Sequence, residues 1–498
     1  MGDCVYRSLV SDGAWSLKMK SSGSWLPLRV AFIFDHFGPY HLARISAAAK
    51  VPEWDVWGIE LHPKSRTYAW ESSKAAFEFH KISLPNVGLS GSAERFALLP
   101  HLEGALASCL PDVVFVNGWG DFMSLETIRW AKKQGVRLVV MSETRQVDGE
   151  RSWWGEWVKS RIVSLCDAGL CGGESHRRYL GELGLAKDRV ALGYNAVDNE
   201  FFAVAKKSGL QDYRTMWSQE EEILGGATEG TNFNATSNSL NSTAPEALTG
   251  PYFLASNRFV ERKNLEQLIR AYAVYVGSLQ ECKKAWPIVL LGDGDLRGKL
   301  EALCGELGLR IEGGTTKDAN LHEREVKPRA CGVEHTKGEN LKLNSYKLKT
   351  PAEGGCVIFA GFRQVEELPF FYAGAGAFIH PALSEPWGLV INEAMASGLP
   401  ILSSGNVGAA EELVQEGVNG FSFDPDDVEG LAGLMAQMAG MSVEKRLAMG
   451  KASKRLILEW GPERFARGAQ EAVRVAMSAP MKCAGILDRI LLEMLIRK

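Results

Sequence analysis

The 498-residue sequence has no excess of charge of either sign, no paired cysteines and no long apolar run. Its 56 Lys and Arg against 60 Asp and Glu leave a formal charge of −4, so no global basic field is present to gather a polyanion. Nucleic acid is therefore not an expected partner, and any anion must be held by a local site. The 9 cysteines are scattered and never form a CxxC pair, which excludes a zinc-finger reading and suggests reduced thiols in a cytosol-like or organelle-soluble compartment. With no run near the ~18 apolar residues that span a bilayer, no membrane-crossing helix is expected. The opening stretch mixes Asp3, Arg7, Asp12, Lys18 and Lys20 among small polar residues. A secretory leader is not expected there, while an organelle transit segment stays open. No GxGxxG follows the first strand of either domain, which disfavours a nicotinamide-dependent dehydrogenase.

Glycine, by contrast, is abundant at 52 residues, and short apolar, β-branched runs recur along the chain. They fall at 30–34, 56–59, 113–116, 138–141, 168–171 and 190–194, and again at 252–255, 288–291, 357–360, 377–380, 401–403 and 421–423. Continuous rather than alternating apolar runs predict strands covered on both faces, as in a parallel sheet between helices. Two such series predict two doubly wound, Rossmann-like domains, 28–204 and 251–460. Between them, 205–250 is too polar to offset its ordering entropy and reads as a disordered linker, and 312–355 reads as a solvated Lys- and Glu-rich insertion. The closing stretch, 461–498, is helical and ends in a stripe of Ile486, Ile490, Leu491, Met494 and Leu495. Such a helix packs back onto the first domain or lies on a membrane surface. Trp153, Trp154 and Trp157 with Lys159 and Arg161 form an aromatic, basic helix, read as core and rim before a membrane or carbohydrate platform.

The richest segment runs from His380 to Pro400. A strand ends at His380, a turn carries Glu385 and Pro386, and Gly388 opens a helix through Glu393. The free backbone amides and positive dipole at such a helix N-terminus favour a phosphate. Nearby carboxylates suit sugar hydroxyls, because each accepts two hydrogen bonds from vicinal OH groups. Just after the strand at 252–255, Arg258 and Lys263 are spaced to bracket a diphosphate, the first as a planar fork and the second as a mobile point charge. Asp293 and Asp295 form a D-x-D triplet, which reads as a sharp strand-to-helix turn rather than a metal site.

Glu385 and Glu393, set in this strand, turn and helix, resemble the E-x7-E motif of retaining glycosyltransferases, and the surrounding residues look like glycosyltransferase family 4. The resemblance implies a GT-B fold, two Rossmann-like domains facing across a cleft, interrupted here by the two polar insertions. It also implies a nucleotide-diphosphate sugar as co-substrate, no metal, and transfer with retention to a hydroxyl of a lipid, polysaccharide or small molecule. Arg258, Lys263 and Glu385 would carry catalysis. Gly38, His41, Phe362, Gly388, Leu389 and Glu393 would hold the donor. Asn117 and Glu143 would face the acceptor in the first domain. For His41, an exposed helix-cap role is the plain alternative. The overall alternative is a non-catalytic nucleotide-sugar-binding or scaffold protein on the same fold. The implied place is the cytosol or the cytosolic face of a membrane, with peripheral attachment.

Overall fold

In the computed structural model, residues 26–63, 77–207, 250–279, 285–313 and 355–497 are described. Most of the two polar segments read at 205–250 and 312–355 lies outside the described residues. The first sheet comprises β1 (Leu28–Phe34), β2 (Trp54–Glu60), β3 (His80–Ser83), β4 (Val113–Asn117), β5 (Arg137–Ser142), β6 (Ala168–Cys171) and β7 (Val190–Leu192). The second comprises β8 (Phe253–Ser256), β9 (Ile288–Leu291), β10 (Arg310–Glu312), β11 (Cys356–Gly361), β12 (Ala377–His380), β13 (Ile401–Ser404) and β14 (Gly420–Phe423). Their orders are β3-β2-β1-β4-β5-β6-β7 and β10-β11-β9-β8-β12-β13-β14, and every paired neighbour is parallel.

The twelve apolar runs become twelve of these strands. The two others, β3 and β10, stand at sheet edges; their sequences, HKIS and RIE, carry one apolar residue each. None of their residues is buried, unlike those of the other two edges, β7 and β14, so they need no apolar run and no hydrophobic signal marks them.

Strand order reverses between β1 and β4 in the first sheet and between β8 and β12 in the second. At such a switch point adjacent connections leave to opposite faces, and a crevice opens at the carboxyl ends of the strands. The residues after β1, β4, β8 and β12 are therefore the ones placed to meet a ligand.

The chain returns to the first domain at its end. Helix Pro462–Ser478 lays Phe465 against Phe32, ring centroids 5.5 Å apart, and buries Ala469, Ala472 and Ala476, whose small side chains let it lie close to the sheet. Helix Ile486–Arg497 follows, with Leu492 and Ile496 buried in the first-domain core. Helix Asn199–Lys207 begins within the span read as the first domain but packs on the second. Phe202 meets Tyr372 edge-on at 5.9 Å, and the Ser397 hydroxyl donates to the Phe202 carbonyl at 3.1 Å. No described helix is long and apolar enough to cross a membrane.

Candidate active site

After β8 the chain turns through Asn257 and Arg258 into a short 3-10 turn, Glu261–Lys263, which buries Lys263. After β12 it runs through Glu385 to helix Leu389–Ala396, capped by Gly388 at φ 96°. That left-handed conformation suits glycine, and a Cβ there would lie 3.1 Å from a Val407 methyl. Because β8 and β12 are neighbours, the two turns converge, and the Lys263 Nζ donates directly to Glu385 Oε2.

Burial pulls the Lys263 ammonium below its usual range; the Glu385 carboxylate opposes that shift, and Arg262 and Arg258 reinforce it. The pair is thus a cation held in a confined space by one carboxylate, at the mouth of an open helix N-terminus. Two groups beside it have unused hydrogen-bonding capacity. Both side-chain polar atoms of Asn257 and both ring nitrogens of His380 are buried without a partner. Burial, with Lys263 and Arg262 adding to it, holds His380 well below its ordinary pKa and therefore neutral. Buried polar groups are rarely left unpaired, so this cluster suits a polar ligand.

Glu393 stands elsewhere. It is 1% exposed, and its carboxylate accepts from Tyr372 OH at 2.7 Å and from Tyr40 OH at 2.8 Å. Burial raises its pKa, and the two phenols counter the shift. Tyr40 belongs to the first domain, so this carboxylate joins the two domains.

The Glu385 turn is held by backbone and by the opposite domain. Glu385 N donates to Asn406 O at 3.3 Å, and Gly408 N donates to Glu385 O at 3.0 Å. A Cβ at Gly408 would fall 2.0 Å from Pro386 O, so only glycine permits this approach. From the first domain, Arg145 Nη2 donates to the carbonyls of Glu385 at 2.9 Å and Asn406 at 2.7 Å. The guanidinium is 3% exposed and is oriented by Asp148 at 2.8 Å. His176 Nδ1 accepts from Gly173 N at 3.2 Å, which places the ring proton on Nε2, donating to Pro386 O at 2.9 Å. Trp387, buried, stacks on Trp460 at 5.3 Å and donates to Asn392 Oδ1 at 2.9 Å.

The first-domain wall carries the remaining candidates. The Gly38 carbonyl accepts from His41 N at 3.0 Å and Leu42 N at 3.2 Å, starting helix Pro39–Ala49. His41 lies against Phe34 at 4.5 Å. Burial, with Arg44 and His36 adding repulsion, lowers its pKa to about 3, so it is a neutral imidazole. Asn117 Oδ1 accepts from Tyr194 OH at 3.0 Å, and Arg44 stacks over that phenol ring at 5.0 Å. Glu143, at the end of β5, is pushed up to about 7. Burial is the main cause; Arg44 opposes it, while Glu385 and Asp148 add to it. Arg145, two residues on, donates to the Glu385 carbonyl, which sets Glu143 on the side of the cleft that faces this turn.

The structure therefore gathers Arg258, Lys263, Glu385, Gly388 and Leu389 on one wall and Gly38, His41, Asn117 and Glu143 on the strand ends of the other sheet. Phe362 follows β11, which β9 and β8 separate from β12. Tyr40, Arg145, His176, Asn257, His380 and Gly408 were not singled out in the sequence as site residues. His380 and Asn257, beside recognised motifs, and Tyr40, between Gly38 and His41, offered a local signal. Asp293 serves the turn after β9: its carbonyl accepts from Phe259 N at 2.9 Å and its carboxylate pairs with Arg297 at 3.5 Å. Among the described residues no group of three or more His, Cys, Asp or Glu is placed to hold a metal ion.

Known proteins resemble the chain in part of its sequence and in its fold. The sulfoquinovosyl transferase of Arabidopsis thaliana is 43% identical over 75 residues, 14% of this chain and 14% of that protein. The lipopolysaccharide core biosynthesis glycosyltransferase LpsE of Rhizobium meliloti is 28% identical over 233 residues, 47% of this chain and 52% of that one. Each alignment spans less than two thirds of the relative's length. Among solved structures, Anabaena HepE in complex with UDP and glucose superposes with a TM-score of 0.57 at 15% identity, over 90% of this chain and 99% of that chain. Sucrose-phosphate synthase from Thermosynechococcus elongatus gives 0.59 at 17% identity, over 90% and 98%. The fold is GT-B, and over residues 317–456 the chain matches the family described as glycosyl transferases group 1.

Proposed function

We propose that the chain is a retaining, metal-independent glycosyltransferase of family 4 that moves a sugar from a nucleotide-diphosphate donor to an acceptor hydroxyl. The observation that carries this reading is the Lys263–Glu385 pair at the open N-terminus of helix Leu389–Ala396. A diphosphate arriving there takes over the Lys263 ammonium and the Gly388 helix end, and Glu385, released from its ion pair, turns to the sugar hydroxyls. Lys263, Arg258 and the helix dipole then stabilise the charge that develops on the leaving diphosphate, the positive charge a metal would otherwise bring. The bond from the anomeric carbon to the phosphate oxygen breaks, a bond from that carbon to the acceptor oxygen forms on the same face, and the acceptor proton passes to the departing phosphate oxygen. Glu143, opposite Glu385, accepts a hydrogen bond from the acceptor. Glu393 reaches a ribose only after Tyr40 has left it, so donor entry is coupled to a parting of the two domains.

The test is a panel of nucleotide sugars, scored by release of nucleoside diphosphate and by the anomeric configuration of the product. Retention of configuration with at least one donor is expected. Inversion, or no turnover with any donor despite binding, overturns the reading. EDTA should leave the rate unchanged; loss of activity restored by manganese would return Asp293 and Asp295 as a metal site.

A further inference from the structure

The first domain carries an apolar face that its own core does not cover. Trp153 and Trp154 are 69% and 63% exposed at the start of helix Trp153–Val163, and Trp157 follows one turn later. Their rings touch edge to face, centroids 4.3 Å and 5.9 Å apart. Helix Ile486–Arg497 lies beside this helix, joined to it by the Arg161–Asp488 ion pair. It buries Leu492 and Ile496 but turns Ile486 (81% exposed), Leu487, Ile490 and Met494 outward. Arg161 is one turn beyond Trp157, and Asp488 directly follows Leu487, so the two apolar surfaces adjoin.

Charge says what this face fits. The acids of the two helices are drawn into ion pairs: Glu156 with Lys159 at 2.8 Å, Asp488 with Arg161, and Glu493 with Arg129 at 3.5 Å. Over 150–163 and 482–498 the sequence carries seven Lys and Arg against four Asp and Glu; Lys482 and Arg489 are exposed beside the outward stripe, and Glu150 and Glu493 are the acids exposed there. Tryptophan, aliphatic side chains and exposed cations together match the headgroup layer of a bilayer: the indoles sit at the interface, the aliphatic chains reach the acyl boundary, and the cations meet anionic lipid.

We propose that this two-helix face docks the protein on an anionic membrane surface and presents the cleft to an acceptor held in that surface. The acceptor clause rests on the transfer reading above; the docking clause does not. Placement supports it. Arg151 donates to the carbonyls of Gln146 and Arg145, and Arg145 holds the Glu385 turn. Trp153 is eight residues along the chain from Arg145, an upper bound of about 28 Å at full extension. The patch belongs to the Glu143 side of the cleft, which leaves the Lys263 side open to a nucleotide sugar from water.

Flotation of the full chain with vesicles of phosphatidylcholine, with and without phosphatidylglycerol, tests the idea. Binding to the anionic vesicles with a blue shift of tryptophan emission is expected. The triple variant W153S/W154S/I490S should weaken binding on the order of a hundredfold, because the inserted apolar area is lost. The pair K482E/R489E should cost on the order of tenfold, on anionic vesicles only. Circular dichroism and nucleoside diphosphate release with a water-soluble acceptor should match wild type, separating surface loss from misfolding. No vesicle binding by the wild type, binding unmoved by the triple variant, or dimerisation abolished by that variant overturns the proposal. Vesicle binding without any nucleotide-sugar turnover upholds the docking surface and removes the transfer reading.

Discussion

The two walls of the cleft are assembled differently. The second domain builds its share from two short stretches, 257–263 and 380–393, each running on from the end of a strand. The first domain delivers Tyr40 from beyond β1, Glu143 and Arg145 from β5, and His176 from β6, and each reaches its partner alone. A local motif puts charge beside charge wherever the strand ends. A dispersed set acts only when the two domains meet, so it reports closure as well as chemistry.

The sharpest way to break this comparison lies on the second-domain wall. Lys263→Ala or Glu385→Ala should cut transfer on the order of a thousandfold, the scale of losing one preorganised charge contact in a confined site, while the thermal transition stays near wild type. Turnover within tenfold of wild type in either variant would place the chemistry elsewhere.

Next comes the crossing between walls. Arg145→Lys keeps a charge but loses the planar fork that spans the Glu385 and Asn406 carbonyls. Charged hydrogen bonds contribute ~1.5–3 kcal/mol each, so kcat/KM should fall ten- to a hundredfold, with donor KM rising. A fall in kcat alone would show that Arg145 does not position the donor turn.

On the first-domain wall, Glu143 supplies a pH readout. Its carboxyl is raised from 4.5 to about 7, so transfer should rise with pH through that value as the carboxylate forms. Glu143→Gln should flatten the profile and lower kcat about tenfold, the scale of one hydrogen bond to a charged group. The sign for stability is opposite. Between 4.5 and about 7 the folded chain keeps a proton that the unfolded chain releases, so stability declines as pH rises through this window. Denaturant titrations at both ends of the window should show a shallower decline in the glutamine variant.

The smallest expected effect is at Tyr40. Tyr40→Phe removes one of the two hydroxyls on buried Glu393 and should cost ~1–2 kcal/mol in chemical unfolding. Because the hydroxyl competes with a donor for that carboxylate, donor KM should fall severalfold. An unchanged KM with the same stability loss would make the contact purely structural.

Residue-level legibility follows the same division. Twelve strands announce themselves because burying strand residues under helices demands apolar runs. HKIS at β3 and RIE at β10 do not, because none of their residues is buried and backbone pairing alone holds them. The Glu385–Gly388 turn and the Arg258–Lys263 loop are readable because their residues are neighbours in sequence. Arg145 and His176 carry no such mark: their partners, Glu385, Asn406 and Pro386, are backbone carbonyls more than two hundred residues away, and a carbonyl has no residue identity.

Glu393 shows the limit most plainly. Its spacing from Glu385 is written in the sequence, but its present hydrogen-bond partners are not. Hydrophobic patterning and turn chemistry, both local, determined by themselves the two doubly wound sheets and the charged residues at the β8 and β12 ends. Which carboxylate lies open and which is held by two tyrosines, and that the last helix turns Leu492 and Ile496 inward and Ile486, Ile490 and Met494 outward, were decided only by tertiary structure. Those outcomes depend on which faces meet across the fold, and contacts between residues hundreds of positions apart leave no period in the chain to read.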